Sequence, residues 1–247
     1  MRTFGLIGKK LGHSFSKRYF SEKFQREGIT DAHYELYELP GIDELPVLLA
    51  KEPTLVGLNV TVPYKEVVIP FLDKLSDAAA QIGAVNTIKI ENGTTTGYNT
   101  DYIGFRNSLE DFYPEQERNK ALVLGTGGAA KAVLAVLKSL GVPYTSVSRV
   151  ANSEAIAYTD VSPATLKEYN LIINTTPLGM YPEVETLPAL PYESLSAGHY
   201  LYDLVYNPEQ TAFLQQGQKA GAKTSSGLAM LHGQAEAAWE IWNNTAG

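Results

Sequence analysis

The chain has 247 residues, no cysteine, 44% hydrophobic and 19% charged residues, and a formal net charge of −7. This composition predicts a folded protein with one or two domains and excludes wholesale disorder. Without cysteine the chain has no disulfide framework, no thiol catalysis and no cysteine-ligated metal site, and its net acidity disfavours a broad nucleic-acid-binding surface.

Neither a secretion signal nor a membrane span is recognisable in the sequence. Lys9, Lys10 and His13 interrupt the apolar residues of the N-terminal segment, whereas a signal peptide needs a continuous apolar core. No stretch approaches the ~20 apolar residues that span a bilayer. We therefore expect a cytoplasmic protein without a membrane or nucleic-acid partner.

Strand-like and helix-like segments alternate from the start of the chain, which predicts an α/β fold with mainly parallel sheets. Ser16 is a candidate cap for a first helix that ends at Gly28. The Asn92–Gly93 pair lies between two strand-like segments and is typical of a β-hairpin. Residues 64–72 have helical spacing, and the strands predicted in this half are 3–8, 33–39, 55–62, 85–90 and 94–98.

The alternation restarts after the hairpin, which predicts a second domain with its boundary near residues 101–104. A connecting helix is predicted at 101–112 and a last helix at 228–242. Between them we predict a helix that runs to residue 140 and strands at 121–124, 144–148, 171–174 and 200–205.

A glycine-rich loop joins the first strand of this second half to its helix. Residues 125–130 read Gly-Thr-Gly-Gly-Ala-Ala, which fits the dinucleotide-binding form G-x-G-x-x-[GA]. The glycines let the backbone approach a pyrophosphate, and the helix N-terminus favours its charge. A plain strand-to-helix turn is the alternative, but the position directly after an apolar strand favours a nucleotide site.

The next strand of this half ends at Ser148 and Arg149. An NAD site usually has an acidic residue here to hold the ribose hydroxyls, whereas Arg149 offers a charged planar fork that suits a 2′-phosphate. A solvated surface arginine is the structural alternative. The sequence therefore favours NADP over NAD, without excluding NAD.

Polar side chains in the first half fall where predicted strands end and helices begin. Taken singly, each has a structural explanation as a helix cap, a strand-end hydrogen bonder or a solvated charge. Open α/β sheets, however, bind ligands at the ends of their strands. The residues concerned are Ser14, Ser16, Asn59, Thr61, Lys65, Asn86 and Asp101.

Lys65 is the most informative of these residues because it falls in the first turn of a predicted helix, where the helix dipole disfavours a cation. That field, with partial burial, favours the neutral amine and would suit a proton donor or acceptor. Asp101 is a candidate to orient it. By contrast, the four histidines (His13, His33, His199 and His232) lack ligand spacing, so we predict no metal site.

A series of short motifs runs through both halves of the chain. The first half has the opening strand with His13-Ser14-Phe15-Ser16, then GLNVTVPYK at 57–65, GAVNT at 83–87 and GYNTD at 97–101. The second half has the glycine loop, then NTTPLGM at 174–180, DLVY at 203–206 and GLAMLHGQA at 227–235. In this order the motifs resemble the shikimate dehydrogenase family of the aromatic amino-acid pathway, over nearly the whole chain.

The resemblance implies an NADPH-dependent, reversible reduction of the small molecule 3-dehydroshikimate to shikimate. Lys65 and Asp101 would flank the reacting oxygen, with Lys65 as the leading general acid/base. Ser14 and Ser16 would donate hydrogen bonds to the substrate carboxylate. The other residues implied to hold or frame the substrate are Asn59, Thr61, Asn86, Tyr206 and Gln234.

The resemblance also implies two domains with the site in the cleft between them, and we expect a monomer or homodimer. An N-terminal α/β substrate domain would comprise residues 1–102 and the C-terminal helix 227–247, and a Rossmann-type NADP-binding domain residues 103–226. The residues implied to contact the cofactor are Asp77, Gly125, Thr126, Gly127, Gly128, Ala129, Ser148, Arg149, Thr176, Leu204 and Gly227.

Two other functions are weighed against this one. Lys17 stands where the family usually has proline, and Glu154 where it often has a second basic residue, so one alternative is a quinate/shikimate dehydrogenase with relaxed choice between NAD and NADP. A non-catalytic nucleotide or metabolite sensor could reuse the fold. The presence of both Lys65 and Asp101 argues against a sensor, which needs no acid/base groups.

Overall fold

The computed structural model describes residues 1–12 and 14–244. His13, part of the predicted carboxylate-binding motif, and residues 245–247, the end of the predicted C-terminal segment, lie outside the described residues. The chain divides into two compact units. The first comprises Met1–Thr100 and the chain from Ala235 onward, and the second comprises Asp101–Gln234.

The first unit is built from short strands and helices that follow one another along residues 1–100. Its helices are α1 (Phe15–Glu27), α2 (Leu45–Lys51), α3 (Tyr64–Val67) and α4 (Asp77–Ile82). Its strands are β1 (Arg2–Gly8), β2 (Ala32–Glu38), β3 (Leu55–Val60), β4 (Lys74–Leu75), β5 (Thr87–Glu91) and β6 (Thr94–Tyr98).

The second half of the chain alternates strands and helices more regularly. Its helices are α5 (Thr100–Phe112), α6 (Gly128–Ser139), α7 (Pro163–Glu168), α8 (Ala212–Lys219) and α9 (Leu228–Asn243). Its strands are β7 (Ala121–Leu124), β8 (Tyr144–Ser148), β9 (Ala155–Ala157), β10 (Leu171–Asn174), β11 (Tyr200–Asp203) and β12 (Lys223–Ser226).

The sheet of the first unit is mixed, with the strand order β2-β1-β3-β5-β6-β4 among the described residues. β1 pairs in parallel with β2 and β3, and β4 with β6, whereas β5 runs antiparallel to both β3 and β6. The predicted hairpin is confirmed: Asn92 and Gly93 connect β5 to β6 with positive φ angles of 52° and 76°, as a type I′ turn requires.

The sheet of the second unit is parallel throughout the described residues, in the order β12-β11-β10-β7-β8-β9. β8 and β9 follow one another on one side of β7, and β10, β11 and β12 then follow one another on its other side. This is the Rossmann-type order, and ligands of such sheets bind beyond the carboxyl ends of the strands where the order reverses. The predicted α/β class with parallel-rich sheets is confirmed.

Each sheet has apolar clusters on both faces, because neighbouring residues of a strand point to opposite sides. On β1, Leu6 belongs to a cluster with Trp242, and the adjacent Ile7 to a cluster with Leu58. On β7, the adjacent Leu122 and Val123 likewise belong to two different apolar clusters. Both units therefore have the layered cores of α/β domains.

The first helix begins earlier than the sequence predicts. Ser14, not Ser16, is its N-cap, and the Ser14 side chain accepts a hydrogen bond from the Lys17 backbone N–H at 3.3 Å. The cap therefore satisfies one of the free N–H groups of the first turn. The predicted C-cap is confirmed: Gly28 ends the helix with φ 65°.

The predicted helix at 64–72 is interrupted. α3 makes a single turn, and a separate 3₁₀ turn follows at Ile69–Phe71. Pro70 has no N–H group to continue an α-helical ladder, which explains the break. The preceding strand also ends at Val60 rather than residue 62, because the chain turns at Thr61, whose carbonyl accepts from the Tyr64 N–H at 2.9 Å.

The C-terminal half of α9 is held in the first unit by an ion pair as well as by its apolar face. The almost fully buried Lys23 ammonium on α1 lies 2.8 Å from Glu236 and 2.9 Å from Glu27. The Tyr19 hydroxyl donates to the same Glu236 carboxylate. On the other face, the Trp242 indole N–H donates to the Ile88 carbonyl at 3.0 Å.

The N-terminal half of α9 lies in the second unit, where its backbone approaches that of α5. A Cβ added to Gly104 on α5 would lie 2.4 Å from the Met230 carbonyl oxygen and 2.7 Å from the Gln234 nitrogen. This close approach explains why the units divide at 100/101 and 234/235, whereas the boundaries predicted from the sequence are 102/103 and 226/227. What each unit binds stays a prediction.

Within the described residues, no helix combines the length and apolar character that crossing a bilayer requires.

The contact between α5 and α9 predicts that Gly104→Ala destabilises the second unit. The new methyl group meets backbone atoms that cannot rotate away, so we expect a loss of about 1–3 kcal/mol in the free energy of unfolding, measured by chemical denaturation. Gly198→Ala is the matched control, because its methyl group would find its nearest neighbour at 3.7 Å. Equal stability of the two variants would contradict the tight crossing.

Candidate functional site

A buried network of amides and hydroxyls joins β3, β5 and the start of α5 in the first unit. Asn59 is 4% exposed and Asn86 3% exposed. The Asn59 amide donates to Thr87 Oγ1 at 3.2 Å, and the Asn86 amide donates to Thr100 Oγ1 at 3.0 Å. The Thr100 N–H donates to Asn86 Oδ1 at 2.6 Å. Thr87 Oγ1 lies 3.1 Å from Thr100 Oγ1, and this hydrogen bond joins the two predicted substrate residues, Asn59 and Asn86, in one cluster.

The same cluster extends to β2 through Tyr34. The Tyr34 hydroxyl on β2 donates to Asn59 Oδ1 at 2.7 Å. Burial raises the pKa of the Tyr34 phenol far above its ordinary value, so the group stays a protonated donor.

Thr61 and Lys65 follow β3 closely. The Thr61 N–H donates to the Ile7 carbonyl at 3.0 Å, which aligns this turn with β1. The Lys65 carbonyl accepts from the Val85 N–H at 2.7 Å, which ties α3 to the segment before β5. Lys65 is the second residue of α3, a helix of a single turn that follows Pro63, so its predicted place in a first helical turn is confirmed, while its role in proton transfer stays a prediction.

Asp77 lies apart from this network, exposed in the first turn of α4. The N-cap of that helix is Ser76, whose side chain accepts from the Ala79 N–H at 3.2 Å. An acidic residue in a first turn is stabilised by the helix dipole. The position of Asp77 thus has a structural explanation, and its contact with a cofactor stays a prediction.

The glycine loop of the second unit follows β7 and opens α6, as predicted. Gly125 has φ 108°, and a Cβ there would lie 2.6 Å from Thr175 Oγ1, so the fold itself requires glycine. Gly127, the N-cap of α6, has ordinary extended backbone angles and open space where a Cβ would be. Protein packing therefore does not explain Gly127, whereas a ligand at this helix N-terminus would. Thr126 is exposed, and Gly128 and Ala129 are partly exposed in the first residues of α6.

Arg149 follows β8, the strand that pairs with β7. It is exposed, and no hydrogen bond or ion pair to the described part of the chain occupies its guanidinium. The neighbouring Ser148 hydroxyl donates to the Val150 carbonyl. Arg149 is therefore free to receive an anion at the carboxyl edge of the sheet.

A buried carboxylate organises the loops after β10 and β11. Asp203 is fully buried and accepts from the Asn174 amide at 2.9 Å, the Val205 N–H at 3.0 Å and the Thr211 hydroxyl at 2.6 Å. Asn174 Oδ1 in turn accepts from both the N–H and the hydroxyl of Thr176, at 3.0 and 2.6 Å. The loop that carries Thr176 is thus fixed relative to the end of β11.

Leu204 and Gly227 lie side by side next to this carboxylate. The Leu204 N–H donates to the Asn174 carbonyl at 2.9 Å, and the Gly227 N–H donates to the Val205 carbonyl at 3.2 Å. A Cβ on Gly227 would lie 2.2 Å from the Leu204 carbonyl oxygen, so only glycine fits there. The predicted cofactor residues of the second unit therefore lie at or just after the ends of β7, β8, β10, β11 and β12, on the edge of the sheet where Rossmann-type folds bind dinucleotides.

Burial raises the pKa of the Asp203 carboxyl to about 6, although its hydrogen bonds to Thr211, Val205 and Asn174 favour the charged form. Desolvation dominates because no exposed surface remains to hydrate the charge.

Asp101, Tyr206 and Gln234 also belong to the second unit. Asp101 is in the first turn of α5 and is 8% exposed. Gln234 on α9 is buried, and its amide donates to the Leu231 carbonyl at 3.0 Å. The close contact at Gly104 holds these two helices together, which fixes Asp101 and Gln234 on adjacent elements. Tyr206 is partly exposed beyond β11.

No group of three or more His, Asp or Glu side chains among the described residues could hold a metal ion.

Comparison with known proteins identifies the family. The family model of the shikimate dehydrogenase substrate binding domain matches residues 6–88. A shikimate dehydrogenase (NADP+) of Caldicellulosiruptor saccharolyticus is 38% identical over 98% of this chain and 92% of its own length. The corresponding protein of Clostridium perfringens is 40% identical, over 98% of this chain and 93% of its own. This chain belongs to the shikimate dehydrogenase family.

A solved structure supports the assignment to the shikimate dehydrogenase family. The Thermus thermophilus shikimate dehydrogenase, in complex with NADP(H) and shikimate, is 31% identical and superimposes with a TM-score of 0.87. The match covers 98% of this chain and 94% of that one. The resemblance drawn from the sequence motifs is confirmed, while the roles of individual residues stay predictions.

Sequence reasoning missed the residues that connect the predicted ones. Thr87 and Thr100 lie in the family motifs beside Asn86 and Asp101, so their position was a usable signal. Tyr34 offers no such signal, because a tyrosine in a strand is most often a core residue. Asp203 also lies in a motif, but nothing in the sequence shows that its carboxylate is buried.

Because the Asp203 carboxyl is buried, we expect the free energy of unfolding to depend on pH in the wild type, and we expect Asp203→Asn to lack this dependence. Between pH ~4 and ~6 the folded state keeps a proton that the unfolded state has released, so stability falls as pH rises through this range. The expected contribution is about 3 kcal/mol. Asparagine cannot titrate, yet it can accept from Asn174 and Val205 and donate to Thr211. Chemical denaturation of both proteins at several pH values measures the difference, and parallel profiles would refute it.

Proposed function

We propose that this chain catalyses the reversible, NADP-dependent reduction of 3-dehydroshikimate to shikimate. The observation that carries the proposal is the similarity to shikimate dehydrogenases (NADP+), which are 38–40% identical over 98% of this chain. Lys65 and Asp101 are both present in the family motifs. We also propose that the enzyme works in the cytoplasm as a monomer or homodimer, without a nucleic-acid or membrane partner.

In this proposal the first unit holds the substrate. Ser14 and Ser16 lie at the start of α1, where hydroxyl donors and the free N–H groups of the first turn favour a carboxylate. Thr61, Asn59 and Asn86 supply further hydroxyl and amide groups for the ring hydroxyls of shikimate. Tyr206 and Gln234 complete the set of substrate residues.

Lys65 and Asp101 carry the proton chemistry. When the ketone is reduced, Lys65 donates a proton to the oxygen that becomes the new hydroxyl, and in the reverse direction it removes that proton. Asp101 holds the same hydroxyl as an acceptor and orients it. NADP(H), when bound, supplies the hydride in one direction and accepts it in the other.

The second unit has the features that a dinucleotide requires. The open space at Gly127 leaves room for a pyrophosphate at the N-terminus of α6. Arg149, free of partners among the described residues, suits the 2′-phosphate of NADP. Thr176, Leu204 and Gly227 are placed for the nicotinamide side. Binding of NAD, which lacks the 2′-phosphate, would forgo the contact with Arg149.

Lys65→Ala is expected to lower kcat about 10²- to 10⁴-fold, because a positioned general acid/base contributes that much. The assay is NADP+ reduction with shikimate, and thermal unfolding should be unchanged. Lys51→Ala removes an exposed lysine of the same unit as the control. Undiminished activity of Lys65→Ala would contradict the role of this lysine.

The same assay with quinate in place of shikimate, and with NAD+ in place of NADP+, distinguishes the proposed enzyme from a quinate/shikimate dehydrogenase.

Gly127→Ala is expected to raise the KM for NADP+ about tenfold, equivalent to ~1.4 kcal/mol of binding free energy. The added methyl group meets no protein atom within 4 Å, so the free energy of unfolding should change by only about 1 kcal/mol, the effect of alanine at an N-cap. Gly198→Ala is again the control. If KM is unaffected, the cofactor does not approach this glycine.

A further inference from the structure

Asn174, at the end of β10, has a fully buried side chain whose two polar atoms face different kinds of partner. Its amide nitrogen donates to Asp203 Oδ1 at 2.9 Å and to the Leu178 carbonyl at 3.3 Å. Its amide oxygen accepts from the Thr176 backbone N–H at 3.0 Å. Because an ionised carboxylate and a carbonyl only accept, and a backbone N–H only donates, these partners allow one orientation of the amide.

The orientation of Asn174 determines where the Thr176 hydroxyl points its proton. Thr176 Oγ1 lies 2.6 Å from Asn174 Oδ1, an atom that can only accept, so the hydroxyl donates to it. The Leu178 N–H donates to Thr176 Oγ1 at 3.3 Å and occupies one of its two lone pairs. Thr176 is partly exposed, so its oxygen keeps one lone pair for a donor group of a ligand and has no proton to offer.

Thr176 lies in the half of the sheet that corresponds to the second nucleotide of a bound dinucleotide. A Rossmann-type sheet consists of two mononucleotide-binding halves. The glycine loop follows β7 in the first half, and Thr176 follows β10, where the second half begins. In the nicotinamide nucleotide, the amino group of the carboxamide only donates. The ribose hydroxyls both donate and accept, so they suit a threonine hydroxyl in either state.

We propose that Thr176 accepts a hydrogen bond from the carboxamide amino group of NADP(H), and that Asn174 is the positioning residue that keeps the Thr176 hydroxyl an acceptor. The inference rests on the proposed function, in which NADP(H) binds at this edge of the sheet. Asn174 does not touch the cofactor, because its side chain is fully buried among protein groups.

The proposal predicts how the site distinguishes groups that replace the carboxamide. A methyl ketone has no N–H to donate, so it forgoes the hydrogen bond. A carboxylate sets its charge against a lone pair of Thr176, which is unfavourable. If the hydroxyl had a free proton, it would instead turn that proton toward the carboxylate and stabilise it. An acceptor and a donor at this position therefore predict opposite effects of removing the hydroxyl.

The test measures dissociation constants by isothermal titration calorimetry at pH ~8 without shikimate, so that binding is separated from turnover. At this pH Asp203, whose pKa burial raises to about 6, is ionised. The ligands are NADP+, its 3-acetylpyridine analogue and its nicotinic acid analogue. The proteins are the wild type, Thr176→Val, Thr176→Ser, Asn174→Ala and the control Thr30→Val, which changes an exposed threonine of the first unit.

We expect the preference for NADP+ over the acetylpyridine analogue to fall about threefold to tenfold in Thr176→Val, the effect of one hydrogen bond. Because ratios are compared, the intrinsic difference between the two rings cancels. Thr176→Ser, which retains the hydroxyl, should keep the wild-type ratio, and so should Thr30→Val. Thr176→Val should bind the nicotinic acid analogue at least as tightly as the wild type does.

Asn174→Ala frees the proton of the Thr176 hydroxyl. We therefore expect its preference for NADP+ over the nicotinic acid analogue to fall about threefold to tenfold. A merely structural role of Asn174 would weaken all the ligands by one factor and leave this ratio unchanged, which would overturn the proposal.

Asn174→Ala also removes a donor from the buried Asp203 carboxylate and could prevent folding, which thermal unfolding reports. The nicotinic acid analogue then decides in the native protein: tighter binding by the wild type than by Thr176→Val would mean that the hydroxyl has a free proton, and the proposal would be wrong. NADP+ binding with the expected ratios but no oxidation of shikimate would refute only the proposed function. Shikimate oxidation with equal ratios in the wild type and Thr176→Val would overturn only this inference.

Discussion

The burial of two asparagine amides is the constraint on which the first unit depends. Asn59 and Asn86 cannot reach water, and each unsatisfied amide group would cost about 1–3 kcal/mol. The chain satisfies them with hydroxyls from Tyr34, Thr87 and Thr100, which come from three separate elements. Because hydrogen bonds are short and directional, this arrangement fixes where β2, β3, β5 and the start of α5 lie within the unit.

In the second unit the buried polar group that fixes the neighbouring elements is a carboxylate, that of Asp203. Asp203 accepts three hydrogen bonds and so connects the ends of β10 and β11 to the start of α8. Its carboxylate is nevertheless less stable than in water, because desolvation outweighs these bonds. The same hydrogen bonds give the loops that carry Thr176 and Leu204 defined positions beside the glycine loop, at the edge of the sheet where a dinucleotide would bind.

The net charge of −7 has the same sign as the carboxylate of the proposed substrate and the phosphates of the proposed cofactor. The groups proposed to meet these anions lie at separate points of the fold: hydroxyl donors at the start of α1, Lys65 after β3 and Arg149 after β8. Neutral donors have a weak long-range field, so their effect depends on orientation rather than on charge.

Much of the architecture could be predicted from the sequence, because local patterns determine it. The alternation of strands and helices, the Asn92–Gly93 hairpin and the glycine loop after β7 all depend on neighbouring residues, and the ordered motifs identified the family. Elements with weak local signals were missed: β4 and β9 have only two and three residues, and the polar β12 lies at a sheet edge. The N-cap at Ser14, the break after α3, the bond from Tyr34 to Asn59 and the buried charge of Asp203 were decided only by the tertiary structure. They depend on contacts and on the exclusion of water, which arise when residues far apart in the chain come together.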